Sequence, residues 1–141
     1  MRSETPPESA CGNVRLQRLI LRLMAAVALI ALPAVIHPRL AVEKLSWIMG
    51  NGQPPHSPLL IYMMAGGSTV YLGQALLLWF ISCDVARYRP LVIFLGWAYL
   101  AFSPLFLWID FNAGLPRWWA AMDSLGCLLG GVALLWACRS R

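Results

Sequence analysis

The sequence has little charge. Of its 141 residues only 12% are Asp, Glu, Lys or Arg, whereas 60% are apolar, and the mean hydropathy is +0.66. In a typical soluble domain about a quarter of the residues are charged. The apolar residues collect in four long runs, and the short segments between the runs hold most of the charges. This pattern excludes a soluble domain and predicts a multi-pass membrane protein.

The motifs of the common enzyme and cofactor classes are also missing. The sequence has no phosphate loop, dinucleotide fingerprint, nucleophile elbow or H-E-x-x-H motif. Its four cysteines form no C-x-x-C pair, so neither a disulfide nor a structural zinc site is indicated. We therefore predict a non-enzymatic protein with no cofactor and no metal site. The net charge of +5 is interpreted as a topology signal and not as a surface for nucleic acid.

Each apolar run has the length of a transmembrane helix, since about 20 residues at about 1.5 Å each cross a hydrocarbon core of about 30 Å. Unbroken runs favour helices over the alternating strands of a barrel. The predicted fold is therefore all-α, a membrane-embedded four-helix bundle. We place a polar cytoplasmic tail at 1–18 and the transmembrane domain at 19–138, with spans at about 19–36, 58–82, 91–109 and 118–138.

The first run allows a second interpretation. The small residues of Ala31-Leu32-Pro33-Ala34 follow a basic stretch, as in a cleaved signal peptide, and cleavage there would leave three spans. The polar tail before the apolar run is long for the n-region of a signal peptide. We therefore favour four spans and keep cleavage as the alternative.

Lysine and arginine are divided unequally between the two sides of the predicted spans. One side holds Arg2, Arg15, Arg18, Arg22, Arg87, Arg89, Arg139 and Arg141. The other side holds Arg39, Lys44 and Arg117. By the positive-inside rule this distribution places both termini in the cytoplasm. We expect the chain to lie in the inner, cytoplasmic membrane.

The first outer connection is long enough to contain a helix. Its apolar residues recur at helical spacing: Ala41, Val42, Leu45, Ile48 and Met49. We predict a short amphipathic helix from Pro38 to about Met49 that lies in the outer interface and ends at Gly50-Asn51-Gly52.

Asp123 is the most informative polar residue, because it lies about one and a half turns inside the fourth span. A charged carboxylate there is costly unless it is paired, protonated or hydrated, so Asp123 should face the bundle. The candidate outer cluster consists of Asp123, Asp110, Arg117, Arg39 and His37. We favour a structural ion pair that fixes helix registry; the alternative is a carboxylate that handles a proton or a substrate.

Small residues recur at four-residue spacing in two spans. The candidate packing positions are Ala65, Thr69 and Gly73 in the second span, and Gly126 and Gly130 in the fourth. Such faces let neighbouring helices approach closely, so we favour helix packing. The alternative is a helix opened at Gly66-Gly67-Ser68 that binds a substrate. The candidate pocket residues are then Tyr71, Gln74 and Ser68.

The second half of the chain contains a longer pattern. Asp84-Val-Ala-Arg87-Tyr88-Arg89-Pro90 is followed by Gly96, and then by a stretch of the form Asp-x-x-Ala-Gly-x-Pro-x-Trp-Trp at 110–119 with an acid at Asp123. Over about residues 58–137 the chain resembles the BphX-like family of small bacterial four-span membrane proteins. That family has no established function. In its pattern a Glu-Gly pair commonly follows the two tryptophans, whereas this chain has Asp123-Ser124.

Two functions fit these features. The first is a non-enzymatic accessory or assembly subunit in the lipid bilayer, which packs through its small-residue faces against a second copy or another membrane protein. The alternative is a small permease or binding protein for an apolar or aromatic compound that uses the intramembrane carboxylate of Asp123. A quinone-linked redox subunit is a third, less favoured hypothesis. A haem in such a subunit needs a pair of histidines within the membrane, and neither His37 nor His56 lies within a span.

Overall fold

The computed structural model describes residues 14–50 and 57–139. Its helices are α1 (Val14–Ala28), α2 (Leu32–Ile36), α3 (Pro38–Ile48), α4 (Pro58–Cys83), α5 (Arg89–Asn112) and α6 (Arg117–Arg139). A 3-10 turn at Leu29–Ala31 joins α1 to α2. The described residues contain no β-strand, and the predicted all-α fold is confirmed.

Four helical segments are long and apolar enough to cross a membrane: Val14–Ile36, which combines α1 and α2, then α4, α5 and α6. Each has between 23 and 26 residues. Large apolar side chains cover the outside of the bundle, among them Val27, Leu76, Phe94 and Leu129. Such a surface is stable only against hydrocarbon, so the chain is a multi-pass membrane protein.

The helices extend beyond the predicted spans. Helix α1 begins at Val14, inside the predicted tail, because the turn that carries Gln17 and Arg18 is also helical. Helices α5 and α6 likewise include the arginines at their ends, which hydropathy alone assigns to connections. The rest of the predicted tail lies outside the described residues, as do Arg2, Arg141, His56 and the Asn51-Gly52 pair.

Helix α1 lies between α4 and α6, and α5 packs along the other side of α6. We call the end of the bundle where α1 begins and α6 ends the terminal end, and the opposite end the α3 end. The large buried apolar side chains form one core towards the terminal end: Leu21, Leu78, Ile81, Val85, Val92 and Leu134. Towards the α3 end several of the buried side chains are polar: Ser68, Ser103 and Asp110.

Side chains of α1 donate hydrogen bonds to α4 and α6 at the terminal end of the bundle. Gln17 Nε2 donates to the Ala137 carbonyl at 2.9 Å, and Arg18 Nε donates to the Ser82 carbonyl at 3.1 Å. The last carbonyls of a helix lack partners within that helix and carry a partial negative charge. The first turns of α1 therefore stabilise the C-terminal ends of α4 and α6. Arg22 lies with its guanidinium 5.1 Å from the ring centroid of Trp79.

Helices α5 and α6 form a closely packed antiparallel hairpin. A Cβ atom added at Gly131 would lie 2.8 Å from the carbonyl oxygen of Gly96, so the two backbones touch at this crossing. Further along, the Ser103 hydroxyl donates to the Ser124 carbonyl at 2.9 Å. The connecting turn places Gly114 at a φ of +69°, a conformation that favours glycine.

The predicted helix after the first span is present as α3, one residue shorter than expected. Val42 is its buried residue, and α3 packs against α2 and α4. Gly50, with a φ of +74°, follows the end of the helix. The amphipathic spacing therefore predicted this element correctly.

Candidate functional site

Polar side chains from three helices lie between the middle of the bundle and the α3 end. We call this group the polar cluster; it consists of Tyr71 and Gln74 from α4, Tyr99 and Asp110 from α5, and Asp123 from α6. The Gln74 amide nitrogen donates a hydrogen bond to the Tyr99 hydroxyl, which joins α4 to α5. The Tyr71 side chain lies within electrostatic range of both Asp110 and Asp123. The cluster therefore connects α4 with the α5–α6 hairpin.

Helical periodicity explains why Tyr99 and Asp110 share one face of α5. On α5, Val92, Gly96 and Ser103 are buried at spacings of four and seven. Tyr99 and Asp110 continue that spacing and therefore lie on the same face. The face is apolar near the terminal end and becomes polar towards the α3 end.

Asp123 is half-buried and belongs to the face of α6 that carries Cys127 and Gly131. Two neighbours act on its carboxylate. Asp110 contributes a like charge, and Trp119 interacts through its indole N–H, the donor of that side chain. Asp123 thus lies within electrostatic range of the second carboxylate of the cluster.

Asp110 is the least satisfied polar group in the described parts of the chain. It is 5% exposed, and its Oδ2 atom is buried without a hydrogen-bond partner among residues 14–50 and 57–139. A carboxylate oxygen that is buried and unpaired costs free energy. The site therefore has an acceptor that the described residues leave unused.

The structure separates the predicted outer cluster into two groups. Asp110 is buried and Asp123 is half-buried, whereas Arg117, Arg39 and His37 are exposed. Within the described residues none of these three side chains forms an ion pair with either carboxylate. The predicted ion pair is therefore not formed there, since the two arginines and His37 remain at the surface.

The predicted pocket residues are divided between two environments. Tyr71 and Gln74 belong to the polar cluster, with Tyr71 45% exposed, whereas Ser68 is buried on α4. Helix α4 runs unbroken from Pro58 to Cys83. The alternative of a helix opened at Gly66-Gly67-Ser68 is therefore wrong. In lipid an opened turn would leave backbone groups without partners, while glycines within a helix cost only about 1 kcal/mol each.

The predicted packing residues differ in what they contact. A Cβ atom at Gly130 would lie 3.0 Å from Met24 Cε, so Gly130 packs against α1. Gly126 and Gly73 have open space where a Cβ would be. Ala65 accepts a hydrogen bond from Thr69 Oγ1 through its carbonyl at 2.8 Å, a contact within α4 itself. Within the described chain, Gly130 is thus the predicted glycine that has a neighbouring helix against it.

Sequence reasoning missed two features of this region. Tyr99 was not singled out, although its three- and four-residue spacing from Gly96 and Ser103 places it on the packed face of α5. The Gly96–Gly131 crossing was not predicted either. It joins glycines on two different helices, and a single-helix motif such as Gly126-x-x-x-Gly130 does not reveal it.

Comparisons with known proteins add no function. The chain matches no protein-family model, no curated protein and no solved structure. The resemblance to the BphX-like family therefore stays a prediction. Among the described residues, no group of three or more His, Cys, Asp and Glu side chains is arranged to hold a metal ion. The function is argued below from the polar cluster.

Proposed function

We propose that this protein is a membrane-embedded binding protein or small permease for an apolar or aromatic compound that also carries a polar group. The observation that carries the proposal is the pair of carboxylates in the polar cluster, Asp110 buried and Asp123 half-buried, which form no ion pair with a cation among the described residues. Ionisable groups inside membrane helices are expensive, and they generally mark a substrate or ion pathway.

The packing of the bundle supports access to this cluster. Helix α4 packs mainly against α1, α2 and α3, whereas α5 packs mainly against α6. The cluster lies where α4 meets the α5–α6 hairpin, and there Tyr71 remains 45% exposed. A small compound in the bilayer can therefore contact the exposed ring of Tyr71.

Substitution of Asp123 with asparagine tests the proposal. The protein in lipid nanodiscs is titrated with acidic, neutral and basic benzene derivatives while its thermal unfolding is followed by circular dichroism. A compound at 100 times its Kd stabilises the folded protein by about 2.7 kcal/mol, so at least one class should raise the unfolding temperature saturably. We expect Asp123→Asn to abolish this shift, because the substitution removes the carboxylate and keeps the volume.

Asp84→Asn is the matched control. Asp84 lies at the terminal end, where its Oδ1 accepts a hydrogen bond from the Arg87 backbone N–H, and asparagine can still accept that bond. This variant should keep the ligand-induced shift. If no compound shifts the wild-type transition, or if the shift survives in Asp123→Asn, the proposal fails.

The proposed location is the inner membrane of a bacterium, with both termini in the cytoplasm. The excess of lysine and arginine at the terminal end supports this orientation, and the resemblance to a bacterial family supports the source. The polar cluster would then lie towards the outer side of the membrane.

A second candidate is an accessory or assembly subunit, favoured by the open glycine positions. Gly73 on α4 and Gly126 on α6 have no atom within 4 Å of an added Cβ, so another helix could approach closely at either position. We expect Gly73→Leu or Gly126→Leu to dissociate any complex that this chain forms, measured by size-exclusion chromatography in mild detergent. Gly130 is unsuitable for this test because Met24 already packs against it.

The control for that experiment is Leu129→Ala, at a position on α6 that is 66% exposed and contributes no small-residue face. This variant should keep the complex. A complex that survives both leucine substitutions contradicts the assembly role of these faces.

A further inference from the structure

We propose that the terminal end of the bundle binds an anionic phospholipid, whose phosphate is held by Arg18 and Arg22 of α1 and whose acyl chains lie along the adjoining faces of α1 and α4. This surface lies apart from the polar cluster, so the inference goes beyond the proposed function and does not depend on it. It rests on the charge of this end, on the contacts that hold the two arginines and on the apolar surface that continues from them.

The terminal end carries far more positive than negative charge. Among the described residues its acidic side chain is Asp84, which accepts a hydrogen bond from the Arg87 backbone N–H. The described arginines at this end are Arg15, Arg18, Arg22, Arg87, Arg89 and Arg139. A zwitterionic head group would bring its own ammonium into this positive field, whereas an anionic head group brings net negative charge. The charge of this end therefore favours an anionic lipid.

Arg18 and Arg22 are held against the last turns of α4. Arg18 Nε donates to the Ser82 carbonyl at 3.1 Å, and the Arg22 guanidinium lies 5.1 Å from the centroid of the Trp79 ring. Residues four apart share a helix face, with their Cβ atoms about 5–6 Å from each other. Both side chains thus reach the same neighbouring helix about one turn apart. At this spacing one phosphate group can contact both guanidiniums.

The contacts with α4 use few of the donors of these guanidiniums. The bond to the Ser82 carbonyl uses Nε of Arg18, one of the five N–H donors of an arginine. The contact of Arg22 with the Trp79 ring stabilises the charge without a hydrogen-bond acceptor. Both arginines are exposed, and neither forms an ion pair with a carboxylate of the described residues. A phosphate matches such planar donor groups in both geometry and charge.

The position of Arg22 fits the level of the lipid head groups. It lies within the first spanning segment, Val14–Ile36, where a charge is costly unless it reaches the interface or a counter-charge. Trp79 lies one turn before the end of α4 and is 50% exposed, which is typical of a tryptophan at the membrane interface. A lipid phosphate at this level supplies the counter-charge that Arg22 needs.

Apolar surface continues from the two arginines towards the middle of the bundle. Ala26 follows Arg22 by one turn on α1, and Leu76 precedes Trp79 by about one turn on α4. Both side chains are exposed, and α1 packs against α4 along this stretch. A free phosphate ion gains nothing from such a surface, whereas the acyl chains of a lipid cover it. The occupant is therefore a lipid, and basic surfaces between transmembrane helices bind anionic head groups in this way.

The experiment compares phosphatidylglycerol with phosphatidylcholine of the same acyl chains. Binding of single lipid molecules to the full chain is measured by native mass spectrometry in a non-ionic detergent at an ionic strength of about 0.15 M. We expect the wild-type protein to bind phosphatidylglycerol at least about fivefold more tightly than phosphatidylcholine. Inorganic phosphate in large excess should leave the phosphatidylglycerol bound.

Arg22→Gln and Arg18→Gln assign the preference to the two arginines. Each should weaken phosphatidylglycerol binding by at least about tenfold, because each removes charge-assisted hydrogen bonds to the phosphate. Circular dichroism of each variant checks that the helices remain folded. If Arg18→Gln does not fold because its bond to the Ser82 carbonyl is lost, the exposed Arg22 position decides the question.

Arg87→Gln is the matched control, since it removes the same charge from the same end of the bundle. The Arg87 guanidinium lies 5.7 Å from the centroid of the Tyr88 ring, and Tyr88 packs against Phe80 and not against Trp79. A detergent micelle of this kind has no surface charge, and a charge away from the head group is largely screened beyond about 8 Å. We expect this variant to change the dissociation constant by less than about twofold.

The other outcomes overturn the inference. Equal binding of the two lipids by the wild-type protein, or binding of neither, shows that the terminal end does not select an anionic lipid. An Arg87→Gln loss as large as that of Arg22→Gln indicates a general effect of charge and no defined site. Unchanged binding in a folded Arg22→Gln variant excludes the assigned residues. Displacement of the lipid by inorganic phosphate identifies a phosphate site that does not need a lipid.

Discussion

Replacing Gly131 with alanine is expected to push α5 and α6 apart. The new methyl group would lie 2.8 Å from the Gly96 carbonyl oxygen, and backbone atoms cannot move aside as a flexible side chain can. Overpacking of this kind costs about 1–3 kcal/mol. We expect a corresponding loss of stability in thermal unfolding of the detergent-solubilised protein, followed by circular dichroism at 222 nm.

Gly126→Ala is the matched control on the same helix. The space at Gly126 is open, so its methyl group meets nothing, and alanine is the better helix former by about 1 kcal/mol. This variant should be as stable as the wild-type protein or more stable. Equal stabilities of Gly131→Ala and Gly126→Ala would show that the two helices do not touch at Gly96.

Replacing Gln17 with leucine is expected to loosen the terminal end of the bundle. Gln17 is 3% exposed, and its amide donates to the Ala137 carbonyl and to Cys138 Sγ. Leucine has a similar volume and no donor, so the Ala137 carbonyl loses this bond. A buried polar group that loses its partner costs about 1–3 kcal/mol. The same unfolding measurement should show destabilisation within that range.

Arg15→Leu is the comparison for this substitution. Arg15 lies in the same turn of α1 and is exposed, so the change adds apolar surface without removing a buried donor. We expect its stability to stay close to that of the wild-type protein. A Gln17→Leu variant that is as stable as Arg15→Leu would contradict a stabilising role for the bond between α1 and α6.

The number and type of the long helices followed from composition, because runs of about 20 mostly apolar residues with few charges have few stable alternatives to a transmembrane helix. The short helix α3 followed from the spacing of Val42 and its apolar neighbours. Both depend on local sequence alone. The placement of Asp123 on one face with Cys127 likewise needs only the period of a helix.

The contacts between helices could not be predicted in this way. Whether Asp123 meets an arginine or a second carboxylate depends on which helices are neighbours, and no single-helix pattern contains that information. The same applies to the Gly96–Gly131 crossing and to Tyr99. Arg18 has a second role that the sequence did not reveal. It was counted only as a topology signal, but its side chain also donates a hydrogen bond to the Ser82 carbonyl at the end of α4.

Native mass spectrometry tests most directly whether the polar cluster is a ligand site. The protein is expressed in its own host at low level, extracted in mild detergent and compared with Asp123→Asn. We predict a reproducible small-molecule adduct on the wild-type chain that is lost in the variant. A second polypeptide in fixed ratio, with no adduct on either form, would contradict the binding function and favour the assembly role.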